Sequence, residues 1–364
     1  MIPVADPQFG EREIDAVCAV LESGYVADGP EVRSFEREFA DYCGAEHAVA
    51  TSNGTTALHA AIVALGLGEG DRIVTTPFSF VASANAIRLA GATPVFADID
   101  PETYTLDPAA AERAVRETGA DAILAVHLYG LAADMDALGE VAADTDTLLI
   151  EDAAQAHGAT YHGDFVGTLG DAACFSFYPT KNMTTGEGGM VLTDDQVVAD
   201  RAASFINHGR GGERRYDHAQ LGHNFRLTSI AAAIGRVQLE RLADWIDRRR
   251  ANAARLTDAI EPLDNVDAPV EPAGYGHAYH QYTVRCADRD AVRERLAEAG
   301  VDSGIYYPTP IHQLGAYDDT AVSMPVAERA ATEVLSLPVH PALTDAEVDQ
   351  VASALSALET QPLQ

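Results

Sequence analysis

The stretch that decides the reading is residues 147–193, TLLIEDAAQAHGATYHGDFVGTLGDAACFSFYPTKNMTTGEGGMVLT. It contains Lys181, the only lysine among the 24 basic residues of the chain. Arginine replaces lysine as a surface charge but never as a neutral amine, because its guanidinium does not give up its proton. A chain that spells every other cation as arginine and keeps one lysine needs an amine there. Upstream, Thr147-Leu148-Leu149-Ile150 is a short apolar run, which predicts a buried strand. It delivers Glu151 and Asp152 at its carboxyl end, where open α/β sheets place their ligands.

An amine for a Schiff base and a carboxylate for a pyridinium nitrogen are what pyridoxal phosphate asks of a protein. A lone lysine can also be an accident of composition, and aspartate at a strand end is common, so the rest of the chain must decide.

Length and composition bound the answer. At 364 residues the expectation is two lobes rather than one small core. Hydrophobic content of 47% supports a substantial interior and argues against disorder. Acids outnumber bases by 56 to 24, a net charge of −32, which is wrong for nucleic acid or an anionic membrane. An acidic, lysine-poor surface also points to work in high salt. Cys18, Cys43, Cys174 and Cys286 are far apart and make no CxxC pair or disulfide framework, so a reducing, cytoplasmic setting is expected and no metal site. No signal peptide is visible in MIPVADPQFG, and no apolar run has membrane-spanning length.

Around the central stretch the chain alternates strands and helices. Helices are predicted over 11–21 and 31–42, then a strand at 48–50. Next come Thr51-Ser52-Asn53-Gly54-Thr55-Thr56 and a helix with Ala57, Leu58, Ala61, Ile62 and Leu65 on one face. A strand, a turn of small residues and a helix aim backbone N–H groups at an anion; an ordinary Asn or Ser cap is the plainer alternative. Strands are predicted at 72–75, 93–97, 122–126, 172–177 and 189–193, with helices at 79–89, 108–117, 134–143 and 195–206. This βα rhythm predicts a mostly parallel, doubly wound α/β sheet. Residues 229–260 read as one long helix bridging to a smaller α+β C-terminal domain, with the division expected at 245/246 (1–245 and 246–364). In that second part a strand is predicted at 281–286 and helices at 290–299 and 325–335.

Two loops stand out. Residues 207–226, NHGRGGERRYDHAQLGHNFR, carry a net charge of +2 in an acidic chain; they form either a solvated loop or a landing site for an anion. Residues 304–317, GIYYPTPIHQLGAY, bring Tyr306, Tyr307 and His312 onto a loop, as substrate contacts or as packing groups.

Taken together, these runs resemble the DegT/StrS-type sugar aminotransferases, which are fold type I enzymes. The matching segments are Ser52–Leu58, Glu151–Gln155, Phe175–Phe177 through Lys181 to Thr185–Gly189, Gly222–Leu227, Tyr307-Pro308 with Pro310-Ile311-His312, and Leu335–Pro338. Their order is the family's, and they span nearly the whole chain. The resemblance implies that Lys181 is the Schiff-base lysine and Asp152 the partner of the pyridine nitrogen. It implies Gln155 near the ring's phenolic oxygen, Gly54, Thr55 and Ser176 on the phosphate, and Phe80 stacked on the ring. Asn224 would reach the phosphate of a neighbouring subunit, so the expectation is a homodimer with shared active sites.

The branch of the family that dehydrates has His in place of the lysine, so Lys181 speaks for amino transfer. The implied donor is glutamate or glutamine, and the implied acceptor a nucleotide-linked keto sugar. The loop at Asp28-Gly29-Pro30, the basic loop with Arg226, and Tyr306 to His312 are candidates for its pocket. Two alternatives remain: amino transfer to another ketone such as a keto-inositol, and a regulatory protein that binds pyridoxal phosphate without turnover.

Overall fold

The structure is a computed structural model and describes residues 1–211, 216–318 and 322–358. Two of the arginines expected to make the basic loop, Arg214 and Arg215, lie outside the described residues. In chain order the first half runs α1 (Glu11–Ser23), α2 (Pro30–Cys43), β1 (His47–Thr51), α3 (Gly54–Ala64), β2 (Arg72–Thr75), α4 (Ala82–Leu89), β3 (Thr93–Phe96), α5 (Pro108–Thr118), β4 (Ala122–Val126), α6 (Met135–Thr145) and β5 (Leu148–Asp152). It continues with β6 (Thr160–Tyr161), β7 (Asp164–Phe165), β8 (Ala172–Ser176), β9 (Gly189–Thr193), α7 (Gln196–Phe205) and α8 (Ser229–Ile260). The remainder is β10 (Val266–Asp267), β11 (Tyr275–Gly276), β12 (Tyr282–Cys286), α9 (Arg289–Glu298), α10 (Pro325–Glu333), β13 (Val334–Leu337) and α11 (Asp345–Ser356).

The main sheet has seven strands in the order β1-β9-β8-β5-β4-β2-β3. Neighbours from β8 to β3 are parallel, while β9 runs antiparallel to both β8 and β1. Six strands therefore point one way. Strand pleating sends alternate residues to opposite faces, and both faces are dry. In β4, Ala122, Leu124 and Val126 enter one apolar cluster, while Ile123 and Ala125 enter the other. β5 and β8 divide the same way, with Ile150 and Cys174 against Leu149 and Phe175. A parallel sheet covered on both faces reads as continuous apolar runs, which is why these strands were visible in sequence.

A third cluster joins Val284, Leu296, Leu337 and Val351 around the sheet β10-β12-β13. α8 links the two parts: Leu239, Leu242 and Ile246 pack on the large sheet, and Ala253, Leu256 and Ile260 on the small one. The 245/246 division falls inside this helix. The chain also crosses between the parts, since Ile2 joins the small core and Ala327, Ala330 and Ala331 of α10 return to the large one.

The helix expected over 325–335 stops at Glu333, because Val334–Leu337 pair with β12 as a ladder. Short β6, β7, β10 and β11 form edge pairings that carry no periodic pattern. Among the described residues no helix is long and apolar enough to cross a membrane.

Candidate active site

Because six strands share a direction, β1, β2, β4, β5 and β8 end on one edge of the sheet. The loops after them line a cavity of about 790 Å³. Asn53 to Thr56 follow β1, Ser79, Phe80 and Ser83 follow β2, Tyr129 follows β4, Gln155 follows Asp152 of β5, and Lys181 follows Ser176 of β8. Tyr306 and Tyr307 close one side.

The two carboxylates at the end of β5 have separate fates, as pleating requires. Glu151 is fully buried and accepts backbone N–H groups of Gly167 (2.7 Å), Leu169 (2.7 Å) and Gly170 (2.9 Å). His127 Nε2 completes its shell at 2.9 Å; the Ala133 N–H donates to Nδ1 of the same ring, so Nε2 carries the hydrogen. Glu151 thus anchors a loop. Asp152 faces the cavity, where its Oδ2 accepts from Ser83 Oγ at 2.7 Å and its Oδ1 from the Ala154 N–H at 3.1 Å.

Burial pushes the Asp152 carboxyl up, against the pull of Ser83, the Ala154 amide and the Lys181 charge. Burial brings the Lys181 amine down to about 8, and Asp152 pulls it back upward. That value leaves a useful fraction of free amine at neutral pH. Two residues not singled out in sequence share this environment. His157 and His280 are buried, and desolvation first, then the Lys181 charge, depresses both imidazoles, His157 to about 3.

Another part of the lining suits an anion. Asn53 caps α3, its Oδ1 accepting from the Thr56 N–H at 2.9 Å. This leaves the N–H groups of Gly54 and Thr55 without intrahelical partners at the positive end of the helix. Gly54 approaches β8 so closely that a Cβ there would lie 2.7 Å from Ser176 Cβ. Ser176 Oγ therefore sits beside those amides. Elsewhere in the lining, Gln155 Oε1 accepts the Tyr129 N–H at 2.8 Å and Nε2 donates to Tyr307 Oη at 3.0 Å. The second hydrogen on Nε2 remains for a ligand oxygen. Phe80 is 56% exposed at the rim, its ring centroid 6.0 Å from that of Tyr307.

These features fit pyridoxal phosphate: a poised amine, a buried carboxylate, an anion cradle, an amide donor and an exposed aromatic in one cavity.

Lys181, Asp152, Gln155, Gly54, Thr55, Ser176, Phe80 and Tyr306 come together here. Three other expected residues do not line this cavity. His312 is buried against Phe96, with its Nε2 3.1 Å from Glu328 Oε1, a contact 16 residues along the chain. Asn224 and Arg226 pair with each other, the Arg226 Nε–H donating to Asn224 Oδ1 at 3.1 Å, and Asn224 is exposed. The Asp28–Pro30 loop is likewise absent from the cavity lining; Arg33 holds Asp28 at 2.6 Å. Ser83 escaped sequence reasoning, although its spacing of four from Ser79 puts both hydroxyls on one turn, 3.1 Å apart.

Comparison with known proteins agrees with this geometry. The family model of the DegT/DnrJ/EryC1/StrS aminotransferases matches residues 7–356. A pleiotropic regulatory protein of Geobacillus stearothermophilus is 41% identical, with 93% of this chain and 91% of the relative covered. A GDP-perosamine synthase of Caulobacter vibrioides is 40% identical, with 97% of each chain covered. Among solved structures, S. venezuelae DesV in complex with a ketimine intermediate superposes with a TM-score of 0.92 at 39% identity, over 96% of this chain and 94% of that one.

Proposed function

The chain belongs to the DegT/DnrJ/EryC1/StrS aminotransferase family, and from that premise we propose that it transfers an amino group from glutamate or glutamine to a nucleotide-linked keto sugar. Pyridoxal phosphate, the cofactor of this family, supplies when bound an electron sink for the carbon–hydrogen bond that breaks. Lys181 Nζ would hold its carbonyl carbon and, once released, would carry a proton from the donor carbon to that cofactor carbon, and in the second half would carry one from there to the sugar carbon that receives the amino group. An amine poised at about 8 is suited to both directions. Asp152, fixed by Ser83, would keep the pyridine nitrogen protonated, and Gly54, Thr55 and Ser176 would hold the phosphate.

The observation that carries the sugar reading is the cavity wall itself. Among the described lining residues the only lysine or arginine is Lys181, the acids are Asp152 and Glu187, and hydroxyls and amides make up most of the polar surface. Such a wall recognises neutral oxygens. The same reading has the enzyme act as a homodimer in a salt-rich cytoplasm. In the dimer, Asn224 and Arg226 serve the partner's site, where Arg226 meets the nucleotide diphosphate. Amino transfer to a keto-inositol would use the same machinery. A regulator without turnover would have no use for a depressed amine facing a buried carboxylate.

The test is the absorption spectrum of the protein with pyridoxal phosphate, before and after glutamate or glutamine, beside Lys181→Ala. The visible band should bleach with donor and return with a nucleotide keto sugar, and Lys181→Ala should lack it. A band that returns only with keto-inositols would overturn the sugar assignment.

A further inference from the structure

We propose that Tyr307 is a specificity-determining residue: its phenol donates a hydrogen bond to a neutral oxygen, a ring hydroxyl, of the hexose that enters the cavity. The inference rests on the sugar reading above and names a contact within it.

The direction of the hydrogen bonds follows from chemistry. The Tyr129 N–H can only donate, so the Gln155 atom that meets it at 2.8 Å is Oε1. Nε2 must then face Tyr307, and it donates to Oη at 3.0 Å. One lone pair of Tyr307 is thereby occupied, and its hydroxyl hydrogen is left over. Among the described residues nothing accepts that hydrogen. Phe80 and Tyr306 stand beside the ring, each with its centroid 6.0 Å from that of Tyr307. Tyr129 supports the arrangement by donating its own hydroxyl to the Tyr306 carbonyl.

The kind of oxygen also follows. Burial, the Asp152 charge and Tyr306 push the Tyr307 phenol up, with only the Gln155 hydrogen bond opposing. It therefore stays protonated and remains a donor. A carboxylate or phosphate calls for a cation, and the only Lys or Arg among the described lining residues is Lys181, already committed to the cofactor. A sugar hydroxyl accepts that hydrogen without bringing a charge that needs a cation.

The experiment compares wild type with Tyr307→Phe, both loaded with pyridoxal phosphate. Calorimetry measures binding of dTDP-glucose, UDP-glucose and GDP-mannose, and of dTDP, UDP and GDP alone. Tyr307→Phe should weaken the preferred nucleotide hexose by about tenfold, the worth of one neutral hydrogen bond. The bare diphosphate should bind within about twofold of wild type. On wild type, one deoxy analogue of the preferred hexose should show the same loss, a result that stands even if the variant folds poorly, and Tyr307→Phe should not deepen it. Equal hexose binding by both proteins overturns the proposal. A wild type that binds no nucleotide hexose instead removes the sugar reading, and Tyr307's role with it.

Discussion

At the residue scale the site turns on how one amine and one carboxylate perturb each other. Lys181 is held at about 8 because burial outweighs the attraction of Asp152. Removing the carboxylate charge removes the only contribution that raises the amine, so Asp152→Asn should move the Lys181 midpoint below 8. The check is the pH dependence of cofactor attachment to the apoprotein, read from the midpoint rather than the amplitude. A midpoint that rises would show that the two groups do not interact as drawn. The same variant should slow overall amino transfer by at least about a hundredfold, the scale of losing one preorganised electrostatic partner. Lys181 was legible because it is unique. Its partner was named only through the family resemblance: Glu151 and Asp152 are adjacent acids at a strand end, and the pleat and the three amides that claim Glu151 leave Asp152 facing the cavity.

Among the elements, the edge strand β1 shows how the sheet is closed. Among the named strands β1 pairs with β9, and Thr51 at its end also bridges Arg226; its other outer N–H groups need cover. Glu36 of α2 supplies it, accepting the Ala50 N–H at 2.8 Å while Arg33 Nη1 lies 2.8 Å from its other oxygen. Burial pushes this carboxyl up to about 7. Its folded value lies above its unfolded one, so its contribution is fully present below about 4.5 and is lost as pH rises through 7. Glu36→Gln keeps an acceptor for Ala50 but does not titrate. Urea unfolding at pH 5.5 and 8 should show the stability gap between the two pH values narrowed by about 2 kcal/mol in the variant. An unchanged gap would mean that Glu36 ionises freely in the folded protein.

At this scale sequence reading did well where elements are long or fully buried. The expected bounds of β2, β4, β9 and α8 are those observed. It failed at β13, where a strand begins the residue after a helix, and at α11, which it did not propose. At β13 the ladder with β12 outweighs local pattern; α11 carries a local signal that went unread, a capping box of Thr344 and Glu347 with Val348, Val351 and Leu355 on its buried face.

For the whole molecule, the net charge of −32 and the proposed dimer each make a measurable statement. Like charges at this density repel across a folded surface, and salt screens them. Raising potassium chloride from 0.1 to 2 M should raise Tm by about 10 °C; a flat response would remove the high-salt reading. If Asn224 completes the partner's site, Lys181→Ala and Asn224→Ala damage different halves of a shared centre. Mixing the two inactive variants under conditions that exchange subunits should recover about a quarter of wild-type activity, since half of the dimers are mixed and each mixed dimer has one intact site. No recovery would place Asn224 in its own subunit's site or outside any site.

The sequence by itself determined the fold class, because a parallel sheet buried on both faces writes itself as apolar runs, and it singled out one lysine among arginines as the candidate amine. Only the tertiary structure decided which residues share the cavity. It turned Asp152 inward and Glu151 away, brought in Ser83, Tyr129 and Tyr307, and seated His312 on Glu328. Those outcomes depend on strand order and loop approach between residues as far apart as 152 positions. Such long-range geometry is a property of packing and leaves no local pattern in the chain.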